Sequence, residues 1–258
     1  MDVWYMNGAG NDFMVIDARG KTLDFSRLAL DLCQRTGADG FMAVDNCDTA
    51  DFRLHFYNAD GSRGEMCGNG ARCICRFAYD MGIAPESMVV QTDAGLVYGQ
   101  RLSETQYRVR LNNPGVLDLH RKGDIAYLEL GNPGVPHAVA QIPGLRWDQK
   151  EALRESSRNL RYDPAFPKGA NVNLYDWIDP STIRILTYER GVEDYTLACG
   201  TGSASTVVVL WLQGKVPTGK LTVKNPGGDL IVTVTGENET VTELTLEGPT
   251  EVVQTYEI

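Results

Sequence analysis

The chain alternates apolar and polar residues over many short runs. These are VWYM at 3–6, FMVID at 13–17, FRLHFY at 52–57, MVVQT at 88–92, YRVRL at 107–111, AYLEL at 126–130, ANVNLY at 170–175 and TIRILTY at 182–188, with a closing set from Lys220 to Tyr256. A period near two suits antiparallel strands with one wet face. Helical periodicity is rarer and predicts helices at about 24–35, 68–81, 147–159 and 200–213. Strands that do not alternate regularly with helices predict an α+β fold rather than a doubly wound parallel sheet.

Two of the predicted helices begin alike. MCGNGARCICRFAYDMG from Met66 and ACGTGSASTVVVLWLQG from Ala198 each set a Cys-Gly-x-Gly turn directly before a helix that ends near a glycine. Cys67 and Cys199 are 132 residues apart (199 − 67), about half of the 258-residue chain. An internal duplication into two similar lobes explains this most economically, although two short glycine-rich turns also coincide by chance. The strand pattern breaks at NNPG and RKGD, between Asn112 and Asp124, which predicts lobes of residues 1–117, carrying Cys67, and 118–258, carrying Cys199.

Composition narrows the function. With 34 acidic and 24 basic side chains the net charge is −10, and no basic run appears, so nucleic acid and anionic membrane surfaces are unsuited partners. A chain of this length buries roughly three quarters of its unfolded surface and needs no staple. The start, MDVWYMNGAG, has neither the basic nor the apolar region of a secretory signal, and the longest apolar stretch, TVVVLWL, is far below the roughly 20 residues that span a bilayer. A cytoplasmic protein is expected. Its six cysteines, at 33, 47, 67, 73, 75 and 199, are then reduced thiols rather than a disulfide framework.

Cys67 and Cys199 stand where a thiol is reactive. At a helix N-terminus, unbonded N–H groups and the helix dipole stabilise a thiolate. The glycines that follow leave the amides of Gly68, Asn69, Gly200 and Thr201 uncovered, and such amides cradle a carboxylate. Two helix ends facing one another would grip one carboxylate and leave a thiol on each side of the carbon beside it. One thiolate would take the α-proton of an amino acid and the other thiol would return one to the opposite face. No lysine site for pyridoxal phosphate and no metal cluster is evident, so no cofactor or metal is expected and the carbanion must be stabilised by amides in a closed site. Three readings compete with this chemistry. Cys33, Cys47, Cys73 and Cys75 read as small buried hydrophobes. Cys73 and Cys75 point to different faces of one helix and lack a metal-binding partner pair. Cys67 and Cys199 would also serve as a disulfide redox switch.

Beyond general chemistry, the whole chain resembles the diaminopimelate epimerase family. The matching blocks are NGAGNDFMVID at 7–17, GADGFMAV at 37–44, NADGSRGEMCGNGARC at 58–73, VPHAV at 135–139, GANVNL at 169–174 and YERGVEDYTLACGTGSA at 188–204. The resemblance implies two lobes, each a curved, mainly antiparallel sheet around one central helix, with the active site in the cleft between them and the last strand, from Thr250, returning to the N-terminal lobe. It implies that Cys67 and Cys199 are the acid/base pair and that Gly68, Asn69, Gly200 and Thr201 cradle the reacting carboxylate. Asn11, Asn58 and Asn171 match substrate-holding asparagines, though Asn11 and Asn58 taken alone read as turn residues. Glu189 and Arg190 match the pair that grips the amine and the far carboxylate, where an exposed ion pair is the plainer reading. His137 matches a histidine that sets the ionisation of one thiol, and otherwise reads as a hydrogen-bonded structural residue.

The activity so implied is interconversion of LL- and meso-2,6-diaminopimelate without cofactor, on the route to lysine and peptidoglycan. The partner is a small amino acid, and a homodimer is the assembly considered. Two positions depart from the family. Val135 precedes Pro136 where many members have asparagine, with Asn132 three residues earlier, and Gly40 stands where some carry a substrate-facing glutamine. These keep open a racemase of another charged or polar amino acid. A non-catalytic amino-acid-binding or thiol-redox protein is the reading from a different class.

Overall fold

A helix with small or apolar side chains on every face cannot lie on a surface and must be wrapped. GTGSASTVVVLWL is such a segment; GNGARCICRFAYD carries two arginines and an aspartate yet is buried over most of its length, and the chain is built around both. In the computed structural model, which describes every residue except 65, 66, 132, 133 and 258, the chain divides into two compact units. The first comprises Met1–Arg110 and the C-terminal segment from Glu247, and the second Leu111–Leu246.

In the first unit β1 (Asp2–Gly8) and β2 (Asn11–Asp17) form a hairpin, and α1 (Phe25–Thr36) crosses over to β3 (Gly40–Asp45), parallel to β2. β4 (Phe52–Asn58) runs antiparallel to β3, and α2 (Gly68–Asp80) crosses over to β5 (Ser87–Thr92), parallel to β4. β6 (Gly95–Arg101) and β7 (Gln106–Leu111) follow as antiparallel neighbours. Parallel neighbours require a crossover, which is where both helices lie.

The second unit repeats the scheme. β8 (Pro114–Lys122), β9 (Ile125–Gly131) and β10 (Gly134–Gln141) are antiparallel neighbours, and a 3-10 turn at Trp147–Gln149 with α3 (Lys150–Arg161) crosses over to β11 (Asn171–Asp179), parallel to β10. β12 (Thr182–Glu189) is antiparallel to β11 and carries the two-residue β13 (Asp194–Tyr195) beside it. α4 (Gly200–Leu212) crosses over to β14 (Lys220–Asn225), parallel to β12, and β15 (Gly228–Glu237) is its antiparallel partner. β16 (Thr240–Pro249) leads out, and β17 (Glu251–Glu257) belongs to the first unit, where it pairs antiparallel with β1. Hairpin, helix, hairpin, helix, hairpin is the order in both units, with parallel pairs at matching places.

The four predicted helices are present within a few residues of their expected ends. Five strands were not expected from the pattern, among them the two-residue β13, too short to show a period. β3 is buried along almost its whole length and shows no alternation. β6 carries two glycines, and β10 contains Pro136. β8 occupies the interval from Asn112 to Asp124 that reads as a break. It starts at Pro-Gly and is exposed at most positions, so it has no apolar period to detect.

The central helices are packed at backbone distance. α2 lies against β1, β2, β3 and β6, and α4 against β9, β10, β11, β14 and β15. A Cβ at Gly8 would come 2.9 Å from both the Asn69 carbonyl oxygen and Cys73 Sγ. A Cβ at Gly202, in the first turn of α4, would run into Asn173 Oδ1 and lie 3.1 Å from Thr187 Oγ1. Overpacking of this kind costs about 1–3 kcal/mol. In urea unfolding Gly202→Ala should therefore lower the free energy of unfolding by that amount, whereas Glu155→Ala, exposed on α3, should stay within about 0.5 kcal/mol of the parent.

Candidate active site

The first unit sets Cys67 as the N-cap of α2. Its backbone is extended (φ −125°, ψ 125°) and its carbonyl accepts the first helical bond from Ala71 N at 2.7 Å. The N–H groups of Gly68 and Asn69 lie in the first turn, where no carbonyl of the helix can reach them. Asn11 is brought to this turn by the β1–β2 hairpin, whose two loop residues, Ala9 (φ 54°) and Gly10 (φ 92°), are both left-handed. Such a two-residue loop matches the strand twist. Asn69 Nδ2 then donates to Asn11 Oδ1 at 2.6 Å, and Asn11 Nδ2 donates to Asp39 Oδ2 at 3.1 Å.

Asn58 is placed differently. It is exposed at the end of β4, opposite Gly40, and its Nδ2 donates to Ser62 Oγ at 2.9 Å within its own turn. At Gly40 a Cβ would come 2.9 Å from Phe56 Cε2 and from the Tyr57 carbonyl oxygen. The Phe56 ring fills the space that a longer side chain at position 40 would take.

In the second unit Cys199 is the N-cap of α4, also extended (φ −117°, ψ 107°). Its carbonyl accepts from Ser203 N at 2.9 Å, and its Sγ accepts from Gly202 N at 3.3 Å and lies 3.5 Å from Thr201 Oγ1. A sulfur that accepts a helix-end N–H is held as a capping oxygen would be. Asn171, buried at the start of β11, is a clamp: its Oδ1 accepts from Arg190 N at 2.8 Å and its Nδ2 donates to the Pro136 carbonyl at 3.3 Å. Arg190 itself is exposed, with Nη1 donating to the Lys168 carbonyl at 3.3 Å. Glu189, at the end of β12, accepts from Thr196 Oγ1 through Oε2 at 3.0 Å. Asn132 lies outside the described residues, and Val135 is exposed on β10.

His137 is fully buried on β10, in register with Asn171. Asn173 is a residue that the sequence reading missed. Its Nδ2 is set by two groups that only accept, the Ala138 and Asn171 carbonyls at 3.0 and 3.2 Å, and faces His137 Nδ1 at 3.2 Å, while its Oδ1 accepts from Thr187 Oγ1 at 3.0 Å. An amide N–H can only donate, so His137 Nδ1 must accept and Nε2 carries the proton. Burial, and then the positive charge of Arg190, push the His137 pKa down to about 3. Alternation along NVN puts Asn173 on the same side of β11 as Asn171, and that signal was available.

The remaining thiols differ. Burial pushes Cys33 up to about 11, and Cys73 and Cys75 up to about 12. Cys47, at the surface, is lowered by its hydrogen bond to Thr49. Among the described residues no group of three His, Cys, Asp or Glu could hold a metal ion, and no helix is long and apolar enough to cross a membrane.

The family pattern described as diaminopimelate epimerase matches residues 3–114 and 130–253. A diaminopimelate epimerase of Chlorobaculum tepidum is 36% identical over 255 residues, covering 96% of this chain and 97% of the relative. That of Aquifex aeolicus is 35% identical, covering 90% and 88%. Among solved structures, a phenazine biosynthesis protein from Bacillus anthracis superposes with a TM-score of 0.72 at 15% identity, covering 100% of this chain and 98% of the other. A hydroxyproline epimerase from Agrobacterium vitis, solved with trans-4-hydroxy-L-proline bound, gives 0.68 at 16%, covering 100% and 90%. At such identities these two structures establish the fold alone.

The burial of His137 has a measurable consequence. Its folded pKa lies below its unfolded value, so the unfolded chain binds more protons and this residue's contribution to stability is complete above about pH 6.5. It is lost progressively as the pH falls from 6.5 toward 3. Side-chain ¹⁵N NMR should show His137 as the neutral Nε2–H form, without titration between pH 8 and 5. A shift through a midpoint near 6.5 would contradict the arrangement.

Proposed function

Because the chain belongs to the diaminopimelate epimerase family, we propose that it inverts one α-carbon of LL-2,6-diaminopimelate to give the meso isomer, a step of lysine biosynthesis. The observation that carries the mechanism is that each unit places a cysteine at the N-cap of its central, buried helix. An inversion needs a base on one face of the carbon and an acid on the other. Cys67 and Cys199 take these roles: the thiolate accepts the α-proton, the C–H electron pair passes into the carboxylate as an enediolate, and the second thiol returns a proton from the opposite side. In the reverse direction the roles exchange, and no cofactor takes part.

The enediolate gains negative charge on its oxygens, and the first-turn amides of Gly68, Asn69, Gly200 and Thr201 are the donors that answer it. They belong to rigid, buried helices, so they need not reorganise as the charge develops. Arg190 offers a planar fork to the distal carboxylate and Glu189 accepts from the ammonium. Asn11 contributes an amide beside Asn69. Asn171 acts through Arg190, whose backbone it holds, while Asn58 orders its turn. His137 is neutral at physiological pH and would support a thiolate only as an N–H donor, not as a cation. A reducing cytoplasm is the compartment that such a pair of thiols requires.

One observation favours a second substrate. The Phe56 ring occupies the place beside Gly40 where some family members carry glutamine, so recognition of the far end of the substrate is altered and another amino acid with a polar side chain fits the same chemistry. Proton NMR of the α-hydrogen in D₂O, with reduced protein and LL-diaminopimelate beside a panel of L-amino acids, separates the two. Loss of the diaminopimelate signal with appearance of the meso isomer is expected. Exchange confined to another amino acid would replace the substrate, and no exchange with any would overturn the reading.

A further inference from the structure

α2 buries an arginine. Arg72 has no exposed surface, yet it lies one turn behind the helix end that Cys67 caps. Its Nη1 donates to the Gly68 carbonyl at 3.2 Å and its Nη2 to Asn69 Oδ1 at 2.9 Å. From there the hydrogen bonds run on without a break, from Asn69 Nδ2 to Asn11 Oδ1 and from Asn11 Nδ2 to Asp39 Oδ2. Asp39 is anchored in turn, since its Oδ2 accepts from Asp12 N at 3.0 Å and its own N donates to the Asp12 carbonyl at 2.8 Å.

The ends of this chain of bonds differ in kind. A guanidinium can only donate, and an ionised carboxylate can only accept. An asparagine between them has two orientations related by a flip of its amide, and only one satisfies both neighbours. Facing Arg72, Asn69 must present its oxygen and so turns its NH₂ toward Asn11. Asn11 must then present its oxygen to Asn69 and turns its NH₂ toward Asp39. If Asn69 flipped, two NH₂ groups would face one another at Arg72 and two oxygens would meet at Asn11. At Arg72 and Asn69, which are buried, groups left in that state cost about 1–3 kcal/mol each.

We propose that Arg72 is a positioning residue for substrate binding: through Asn69 it dictates which way the Asn11 amide points, so that Asn11 meets an anionic substrate group with an N–H rather than an oxygen. Each of the two hydrogens on Asn11 Nδ2 is one bond, and Asp39 takes one of them. The other is the donor for the substrate. With the orientation reversed, the substrate would meet a lone pair, and attraction would become repulsion.

The inference rests on the epimerase reading, and wild-type turnover of diaminopimelate tests that reading by itself. Arg72→Met keeps the length of the side chain and removes the donor-only cation, leaving the Gly68 carbonyl and Asn69 Oδ1 without that donor at a cost of about 1–3 kcal/mol each in stability. It should lower kcat/KM by roughly 10- to 100-fold, the range of one hydrogen bond to a charged group. Arg72→Lys, still a cation that only donates, should recover activity to within about fivefold of wild type. The decisive readout is a double-mutant cycle with Asn11→Ala. If Arg72 acts by orienting Asn11, the loss from Arg72→Met should nearly vanish once Asn11 is gone. Should the methionine variant fail to fold, Arg72→Gln enters the same cycle, because its ambivalent amide no longer dictates the orientation. Wild-type kcat/KM in the Arg72 variants, or a loss that persists undiminished beside Asn11→Ala, would overturn the proposal.

Discussion

A helix must begin somewhere, and its first N–H groups have no carbonyl of the helix to bond. In this protein two such ends are set at the first turns of buried helices, where a helix end is normally closed by a Ser, Thr, Asp or Asn cap. Here the capping position holds cysteine, with an extended backbone in both cases, and glycine follows. The helices that bear these ends are wrapped by strands on several sides, which fixes the direction of the amides. Glycine is needed at Gly202 because Asn173 lies where a Cβ would be.

The polar groups behind the helix ends are arranged so that few of them retain a choice. In the first unit a buried cation and an anchored carboxylate settle two asparagine orientations between them. In the second, the Ala138 and Asn171 carbonyls, which only accept, settle Asn173, and Asn173 settles the tautomer of His137. Both networks cost desolvation, and the compensation is that their amides are oriented by fixed neighbours. Preorganisation of this kind is what electrostatic catalysis in a dry site requires.

Much of the fold was legible in the sequence because most strands have one wet face and the helices have strong ends. The Cys-Gly-x-Gly turns located both central helices, and their spacing pointed to the duplicated topology that the pairings display. Strands without alternation were not legible. β3 is buried on both faces, and β8 is exposed at most positions, so neither has a period. At the site, the cysteines were visible from helix-end chemistry, whereas Asn11 and Asn58 gained a role only through family resemblance. Arg72 was missed for a physical reason: arginine normally reads as exposed, and only packing shows it buried. Asn171 was singled out only through the resemblance, and its hydrogen bond to the Arg190 backbone depends on a contact between separate strands.

The most direct test of the central claim, that the two helix-end cysteines are the acid and the base, is isotope exchange with single-thiol variants. Cys67→Ser and Cys199→Ser would be incubated in D₂O with each diaminopimelate isomer separately, and exchange and inversion followed in the same sample. The account predicts that each change slows inversion by at least about 100-fold. It also predicts that any remaining exchange is one-sided, with one variant labelling the LL isomer and the other the meso isomer. Inversion near the wild-type rate in either variant would contradict it.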